Sequence, residues 1–194
     1  MYDRETESLW VHVTGRAQSG PLEGSQLEMI PSTVTTWAQW KRAHPDTLVL
    51  PGRRRGGFMG TYTGLRDPDP IGLAVTVRFK PKLYPYRALE KSPVVNDEHN
   101  GEAVLVVYSS DAGTASAWGR TLDGRALTFQ IGEHSEAQGT FLLRDAETGS
   151  TWSWLTGEAL SGPLEGKRLA LLPHHPILNK RFPGFYPDAP VMGR

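Results

Sequence analysis

The sequence predicts a mainly β protein, an α+β fold with short helices, built as two related β-rich modules of which the first is incomplete. Three observations carry this. Glycine and proline number 21 and 15 of 194 residues, about a fifth of the chain against a usual ~12%, so the backbone turns often and long helices are disfavoured. Several short stretches alternate apolar and polar residues or run apolar without a break, as half-buried and fully buried strands do. The chain also repeats itself. Asp3 to Pro31 matches Asp145 to Pro173 at an offset of 142 without a gap, sharing the block Ser-Gly-Pro-Leu-Glu-Gly at 19–24 and 161–166. The offset holds to Pro45-Asp46 against Pro187-Asp188, with Trp40 facing Phe182, and gives 18 identities over the 44 positions from Asp3 to Asp46. A repeat of this quality outranks any single element in deciding the architecture.

The elements follow in order. After Pro31 the first copy reads Ser-Thr-Val-Thr-Thr-Trp-Ala-Gln-Trp, where Thr35 or Thr36 can cap a short helix whose face carries Trp37 and Trp40 and which Pro45 stops. Thr47 to Leu50 is expected as a short strand. Residues 51–70 are dense in Gly, Pro and Arg and read as a linker or surface loop. Gly72 to Phe79 alternates and is expected as a strand; Tyr86 to Lys91 is one or two helical turns. Ala103 to Tyr108 is a nearly continuous apolar run and therefore a buried strand, with Ala126 to Ile131 and Thr140 to Arg144 adding two more. In the second copy Thr151 to Leu155 is strand-like, Thr156-Gly157 a turn, and Gly162 to Gly166 a second turn with a preset Pro163. Its tail, His174 to Asp188, has prolines at 176, 183 and 187, which make a regular helix there improbable.

The period sets the domain reading. Residues 1–50 are the C-terminal half of a first repeat module, 51–70 a linker, and 71–194 a second, nearly complete module. A unit of about 142 residues whose recognisable tail occupies residues 2–50 implies that most of the first unit lies upstream of Met1. Met1 to Arg4 carries no signal-peptide pattern, and a start inside a module is compatible with a longer, exported product, so the compartment is not fixed.

Charge and composition exclude several functions. Twenty-one basic residues balance 21 acidic ones, which argues against a polyelectrolyte partner and hence against nucleic acid. No apolar run approaches the ~20 residues of a membrane span. Leu, Ile, Val and Phe total 43, enough for a core but not a generous one. Cysteine is absent, so disulfides, thiolate metal sites and cysteine nucleophiles are absent with it.

Residues 1–50, beginning Met-Tyr-Asp-Arg-Glu-Thr-Glu-Ser-Leu-Trp and ending His-Pro-Asp-Thr-Leu-Val-Leu, resemble a bacterial family known as domain of unknown function 3179. Tyr84-Pro85, Arg87, Leu89, Val95-Asn96-Asp97, Tyr108, Gly113 and Asp123-Gly124-Arg125 are similar to that family's preceding segment. There the family carries a His-Glu pair and, after the buried strand, a Cys-x-x-Cys. The resemblance implies a thiolate and imidazole site suited to a metal or to redox chemistry. In this chain the matching positions are Ser92 and Pro93 for His-Glu, and Ser109 and Ala112 for the two cysteines, so the resemblance implies a degenerate site.

The remaining candidates each have a plainer reading. His174 and His175 are adjacent imidazoles beside Pro176; as neighbours on an extended chain they point to opposite faces, and they read as solvated loop histidines rather than joint metal ligands. Asp97-Glu98-His99-Asn100-Gly101 offers oxygen ligands for a hard cation but reads first as an Asn-Gly β-turn. Ser109-Ser110-Asp111, with His134 or His99 as base, lacks the Gly-x-Ser-x-Gly elbow of a strained nucleophile. Arg53-Arg54-Arg55 could dock phosphate yet is a single triplet in a neutral chain. Trp10 and Trp152 are equivalent across the repeat and are expected in its cores. Trp154 faces His12 in the other copy and is the freer ring, a candidate stacking surface for a sugar or base.

The function expected is that of a non-catalytic β-rich binding or structural module that has lost the family's candidate Cys/His site. The alternative is a metal-binding or redox-related enzyme using His174, His175, Asp97, Glu98, Asp111 or His134. No cofactor is predicted. The expected partner is a small molecule or protein, with homo-oligomerisation through the incomplete first module as one form of association.

Overall fold

The computed structural model describes residues 1–50 and 70–193; the linker expectation over 51–70, except Pro70, and the Arg53-Arg54-Arg55 triplet lie outside the described residues. The chain opens with a two-stranded antiparallel ribbon of β1 (Leu9–Val11) and β2 (Arg16–Ser19). Helix α1 (Trp37–Ala43) follows where the cap signal placed it: the Thr36 hydroxyl accepts the Gln39 N–H, and the His44 N–H closes the last turn on the Trp40 carbonyl. The buried face differs from the one expected. Gln39 is the inward residue, 5% exposed, while Trp37 is 55% exposed, and Trp40 donates its Nε1–H to the Thr47 hydroxyl at 3.0 Å. Thr47 to Leu50 forms no strand. Among the described residues nothing pairs with it, and a strand exists only through its ladder.

Three larger antiparallel sheets and a second two-stranded ribbon account for the other strands of the described residues. β3 (Ile71–Val77) and β4 (Lys80–Pro85) form a hairpin, and α2 (Tyr86–Lys91) leads to the β5 (Val94–His99) and β6 (Glu102–Ser109) hairpin. β7 (Thr114–Gly119) pairs with β6, the small ribbon of β8 (Thr121–Leu122) and β9 (Arg125–Ala126) follows, and β10 (Phe129–Ser135) and β11 (Thr140–Asp145) form a further hairpin. The second repeat supplies β12 (Thr151–Trp152), β13 (Ala159–Ser161) and β14 (Ala170–Leu171), and the chain ends in β15 (His174–Leu178) and the single turn α3 (Phe182–Phe185). The sheet orders are β15-β3-β4, β14-β7-β6-β5 and β10-β11-β12-β13.

β6 explains why its sequence is continuously apolar. Val104, Val106 and Tyr108 pack with Leu73, Val75, Tyr84 and Leu89 in one cluster, while Leu105 and Val107 pack with Trp118, Phe129, Leu143 and Trp152 in a second. Both faces of the strand are core, so alternation is lost. Full burial of each such aliphatic side chain contributes roughly 1.5–3 kcal/mol. A third cluster of Ala74, Leu83, Ile177 and Phe182 draws in Val13 from the first repeat and Tyr186.

Several boundaries differ from the sequence reading for identifiable reasons. The strand expected over 72–79 stops at Val77, because Arg78 and Phe79 form a two-residue hairpin turn with φ of 48° and 64°. Two consecutive positive φ values are the geometry that matches strand twist, here without glycine. Asn100-Gly101 makes the same kind of turn, with φ of 49° and 73°, as its sequence predicts. The strand expected over 126–131 is interrupted at Leu127, which turns into the core at 2% exposure while its N–H bonds the Arg120 carbonyl at 2.9 Å. The strand expected over 151–155 ends at Trp152, since the Gly157 N–H closes a turn on the Ser153 carbonyl at 2.9 Å. The tail of the second copy holds no regular helix beyond the four residues of α3, with Pro183 in the first turn, where a missing N–H costs nothing.

Candidate functional site

The most regular polar arrangement in the molecule occurs twice, once in each repeat. Asp3 Oδ1 accepts the Thr6 N–H at 2.7 Å and Asp145 Oδ1 accepts the Thr148 N–H at 2.6 Å. The Trp10 and Trp152 indole N–H groups each reach the aspartate Oδ2 at 2.9 Å. The threonine hydroxyl lies 2.7 Å from Ser8 Oγ in one copy and 2.7 Å from Ser150 Oγ in the other. Each serine hydroxyl then accepts a backbone N–H from the Gly-Pro-Leu turn, Leu22 at 3.1 Å and Leu164 at 3.0 Å. The turn lies so close that a Cβ on Gly20 or Gly162 would come within 2.7 or 2.8 Å of the serine Cα, which requires glycine in both copies. The Asp3 carboxyl is held down at about 2 by the indole and threonine bonds. Burial pushes the Asp145 carboxyl up, but the bonds from Trp152, Thr148 and Ser150 outweigh it and hold it below the ordinary range. Both carboxylate oxygens of each aspartate accept hydrogen bonds within the arrangement, which locks the local fold. The spacing Asp-x-x-Thr-x-Ser-x-Trp, identical in both copies, was the signal for this lock, and reading the tryptophans as packing alone missed it.

Of the four positions at which the family carries His-Glu and Cys-x-x-Cys, Ser92 and Pro93 lie just before β5, and Ser109 and Ala112 lie at the end of β6 and in the turn that follows it. Val94 faces Val107 in the β5–β6 ladder, and the Tyr108 N–H continues it to the Pro93 carbonyl at 2.8 Å. Ser109 is fully buried and Ala112 is 7% exposed; the Ser109 hydroxyl accepts the Ala112 N–H at 3.3 Å, closing the turn between β6 and β7. Ser92 caps the end of α2 through its backbone N–H. These four side chains are a hydroxyl committed to its own turn, a methyl, a proline ring and an exposed hydroxyl. They present no charge and no soft ligand.

The other candidates are dispersed. His174 and His175 are not solvated loop residues. They lie in edge strand β15, paired with Val75 and Ala74, and His174 is 5% exposed. Its Nδ1 lies 2.8 Å from the Leu172 carbonyl, and burial pushes its pKa down to about 4, with the Leu172 bond opposing and His175 adding to the shift. Burial likewise lowers His175. Both Nε2 atoms are buried without a protein partner, beside a cleft of about 430 Å³ shared with His12, Leu27 and Met29 of the first repeat. Asp97 lies on β5 and accepts from Lys82 Nζ at 2.7 Å and from the Tyr84 hydroxyl at 2.8 Å. Burial raises the Asp97 carboxyl, and these two bonds overcome it and lower it. His99 Nε2 lies 2.9 Å from the Lys80 carbonyl. Glu98 and His134 are exposed on strands β5 and β10, and Asp111 is exposed in the β6–β7 turn. Among the described residues no three His, Asp or Glu side chains are grouped so as to hold a metal ion.

Trp154 is not the free ring that the sequence suggested. It is 1% exposed, donates its Nε1–H to the Thr140 hydroxyl at 3.1 Å and stacks on Phe141. Its carbonyl accepts the Trp118 indole N–H at 3.0 Å. No stacking surface is left on it for a sugar or base.

The profile of a family of proteins of unknown function, DUF3179, matches the chain twice, over residues 1–72 and 58–194. The chain belongs to the DUF3179 family. The two matched segments each contain one copy of the internal repeat. No curated protein and no solved structure matches the chain. Among the described residues of this DUF3179 chain no helix is long and apolar enough to cross a membrane.

Proposed function

We propose that this DUF3179 chain is a non-catalytic, β-rich binding or structural module in which the family's candidate Cys/His site is degenerate at Ser92, Pro93, Ser109 and Ala112. Residues 71–194 act as one nearly complete module and residues 1–50 as the counterpart of its C-terminal half. The observation that carries the reading is the placement of those four positions just before β5 and at the end of β6 with its turn, where Ser109 spends its hydroxyl on the Ala112 N–H. Thiolate and imidazole ligands at such positions would face one another across the strand pair. Here the turn is held by an ordinary hydrogen bond instead, so the local fold survives without the chemistry. The partner sought is a protein or small molecule recognised by surface shape; the neutral overall charge gives no support to a nucleic-acid partner.

The test is elemental analysis by inductively coupled plasma mass spectrometry on the untagged full chain, purified without added metal and dialysed. The expected result is a transition-metal content far below one atom per chain. A near-stoichiometric metal would overturn the reading and send mutagenesis to His174 and His175.

A further inference from the structure

The first repeat rests against the sheet of β15 and β3 and leaves a cleft beside it. Val13 anchors the contact: its side chain packs with Ala74 and Ile177, and its carbonyl accepts the Tyr186 hydroxyl at 3.2 Å. The cleft holds about 430 Å³ and is walled by Val13, Leu27, Met29 and Ile30 on one side and by Pro173 and Pro176 on the other. A mostly apolar space of that size at the junction of two units is the usual form of a small-molecule site. Its first-repeat wall is uncovered. Leu27 and Ile30 are 46% and 85% exposed, whereas Leu169 and Leu172 at the matching places of the second repeat are buried and half-buried.

The polar groups of the cleft decide what chemistry it takes. They are Glu28, Ser32 and the imidazoles of His12, His174 and His175, and among the described residues no lysine or arginine lines it. His175 pairs with Ala74 in the β15–β3 ladder, and cross-strand partners share a face, so its ring lies on the side where Val13 packs. His174 pairs with Val75 on the other side and is bonded to the Leu172 carbonyl. The His175 Nε2 is buried with no protein partner, a state that buried polar atoms rarely keep. With burial holding the ring neutral, one ring nitrogen is a bare lone pair that can only accept. A carboxylate and an accepting imidazole, with no cation beside them, select a donor and repel an anion. We propose that this cleft binds a small organic amine, its apolar body lying on Leu27, Ile30 and the two prolines and its ammonium group donating to the Glu28 carboxylate and to the His175 ring nitrogen. Because Nε2 is buried, the ring turns to present it as the donor arrives.

This inference rests on the reading of a binding module and names the class of its ligand. The experiment is a chemical-shift titration of the isotopically labelled full chain with benzylamine and with hexylamine, and with benzoate as the anionic counterpart. It is repeated on Glu28→Gln and Ile30→Ser; both side chains are exposed, so both variants keep the fold, which the melting temperature checks. The expected result is saturable binding of at least one amine, with shifts at Leu27, Ile30 and His175, and none of benzoate. The dissociation constant should rise about threefold or more in Glu28→Gln, the scale of an exposed ion pair, and rise in Ile30→Ser as well. Neither amine binding, benzoate binding as well as the amines, shifts that avoid the cleft, or an affinity indifferent to both substitutions would each overturn the proposal. Those failures leave the metal content unchanged, whereas bound metal would defeat the non-catalytic reading and leave the amine titration standing.

Discussion

The first and second repeats have the same aspartate lock, the same glycine turn and the same ribbon register, yet one tryptophan is half-buried and the other fully buried. The backbone bonds agree throughout: Leu27 N–H to Gly15 carbonyl and Leu169 N–H to Gly157 carbonyl are both 2.9 Å. Even the strand preceding the ribbon is echoed, since the isolated bridge of Tyr2 with Leu9 stands where Arg144 pairs with Thr151. What differs is the layer opposite. Local sequence identity carries the hydrogen-bonded motif, and non-local packing decides whether that motif sits in a core or on a surface. The polar lock is therefore the same in a half-buried and in a fully buried setting.

The largest expected contrast is between the two tryptophans. Trp152→Ala should cost roughly 3–5 kcal/mol, the usual range for emptying a buried aromatic site, and Trp10→Ala well under half of that, both read from urea unfolding. Equal costs would mean that Trp10 is covered in solution, which self-association would provide.

The turn glycines sharpen the comparison. Gly15 and Gly157 share a φ of 68°, so an alanine pays the left-handed penalty of roughly 1–2 kcal/mol at either. At Gly157 its Cβ would also lie 2.4 Å from the Trp118 ring, whereas at Gly15 the nearest atom is the Gln26 side-chain amide at 3.1 Å. Gly157→Ala should thus cost roughly 2–5 kcal/mol once overpacking is added, and Gly15→Ala should stay near 1–2. If Gly15→Ala is as damaging as Gly157→Ala, the first repeat is packed as tightly as the second.

His174 belongs to the closed half of the molecule, and its replacement in the first copy is Ser32. Its folded pKa is about 4 against an ordinary 6.5, so the unfolded chain takes up the proton first. Its contribution is fully present above pH 6.5 and is lost as pH falls from 6.5 towards 4, on the order of 2–3 kcal/mol. The melting temperature should climb across that window in the wild type and climb less in His174→Gln. An unchanged profile would show that His174 is solvated after all.

The smallest effect concerns the lock itself. Both aspartates have folded pKa values below 3.8, so the stability they add is present above pH 4 and disappears as pH drops below it. Asp145→Asn, in the buried copy, should cost roughly 1–3 kcal/mol at pH 7 and flatten the acid limb of the stability curve. Asp3→Asn should flatten it as well, since that carboxyl is held down at about 2.

Much of this was legible in the sequence. The repeat, the short helix capped at Thr35 or Thr36, the Asn100-Gly101 turn and the buried β6 follow from identity, capping chemistry, turn preference and continuous apolarity. The failures were long-range. Nothing local in His174-His175-Pro176 announces an edge strand, because its partner β3 lies about a hundred residues earlier. Trp154 faces His12 across the repeat, but its burial depends on Trp118 and Phe141. Arg78-Phe79 adopts a turn that glycine usually signals, and Thr47 to Leu50 has strand-like residues with no strand to join among the described residues. That Pro93 continues the β5–β6 ladder to Tyr108 is likewise a non-local fact that no local pattern announces.

The central claim is that those four positions form one site whose chemistry this chain lacks. The most direct measurement is the zinc content after dialysis of the wild type and of a Ser92→His, Pro93→Glu, Ser109→Cys, Ala112→Cys variant, side by side under reducing conditions. The account predicts about one zinc per chain in the folded variant and essentially none in the wild type. A wild type that retains stoichiometric zinc, or a folded variant that binds none, would contradict it.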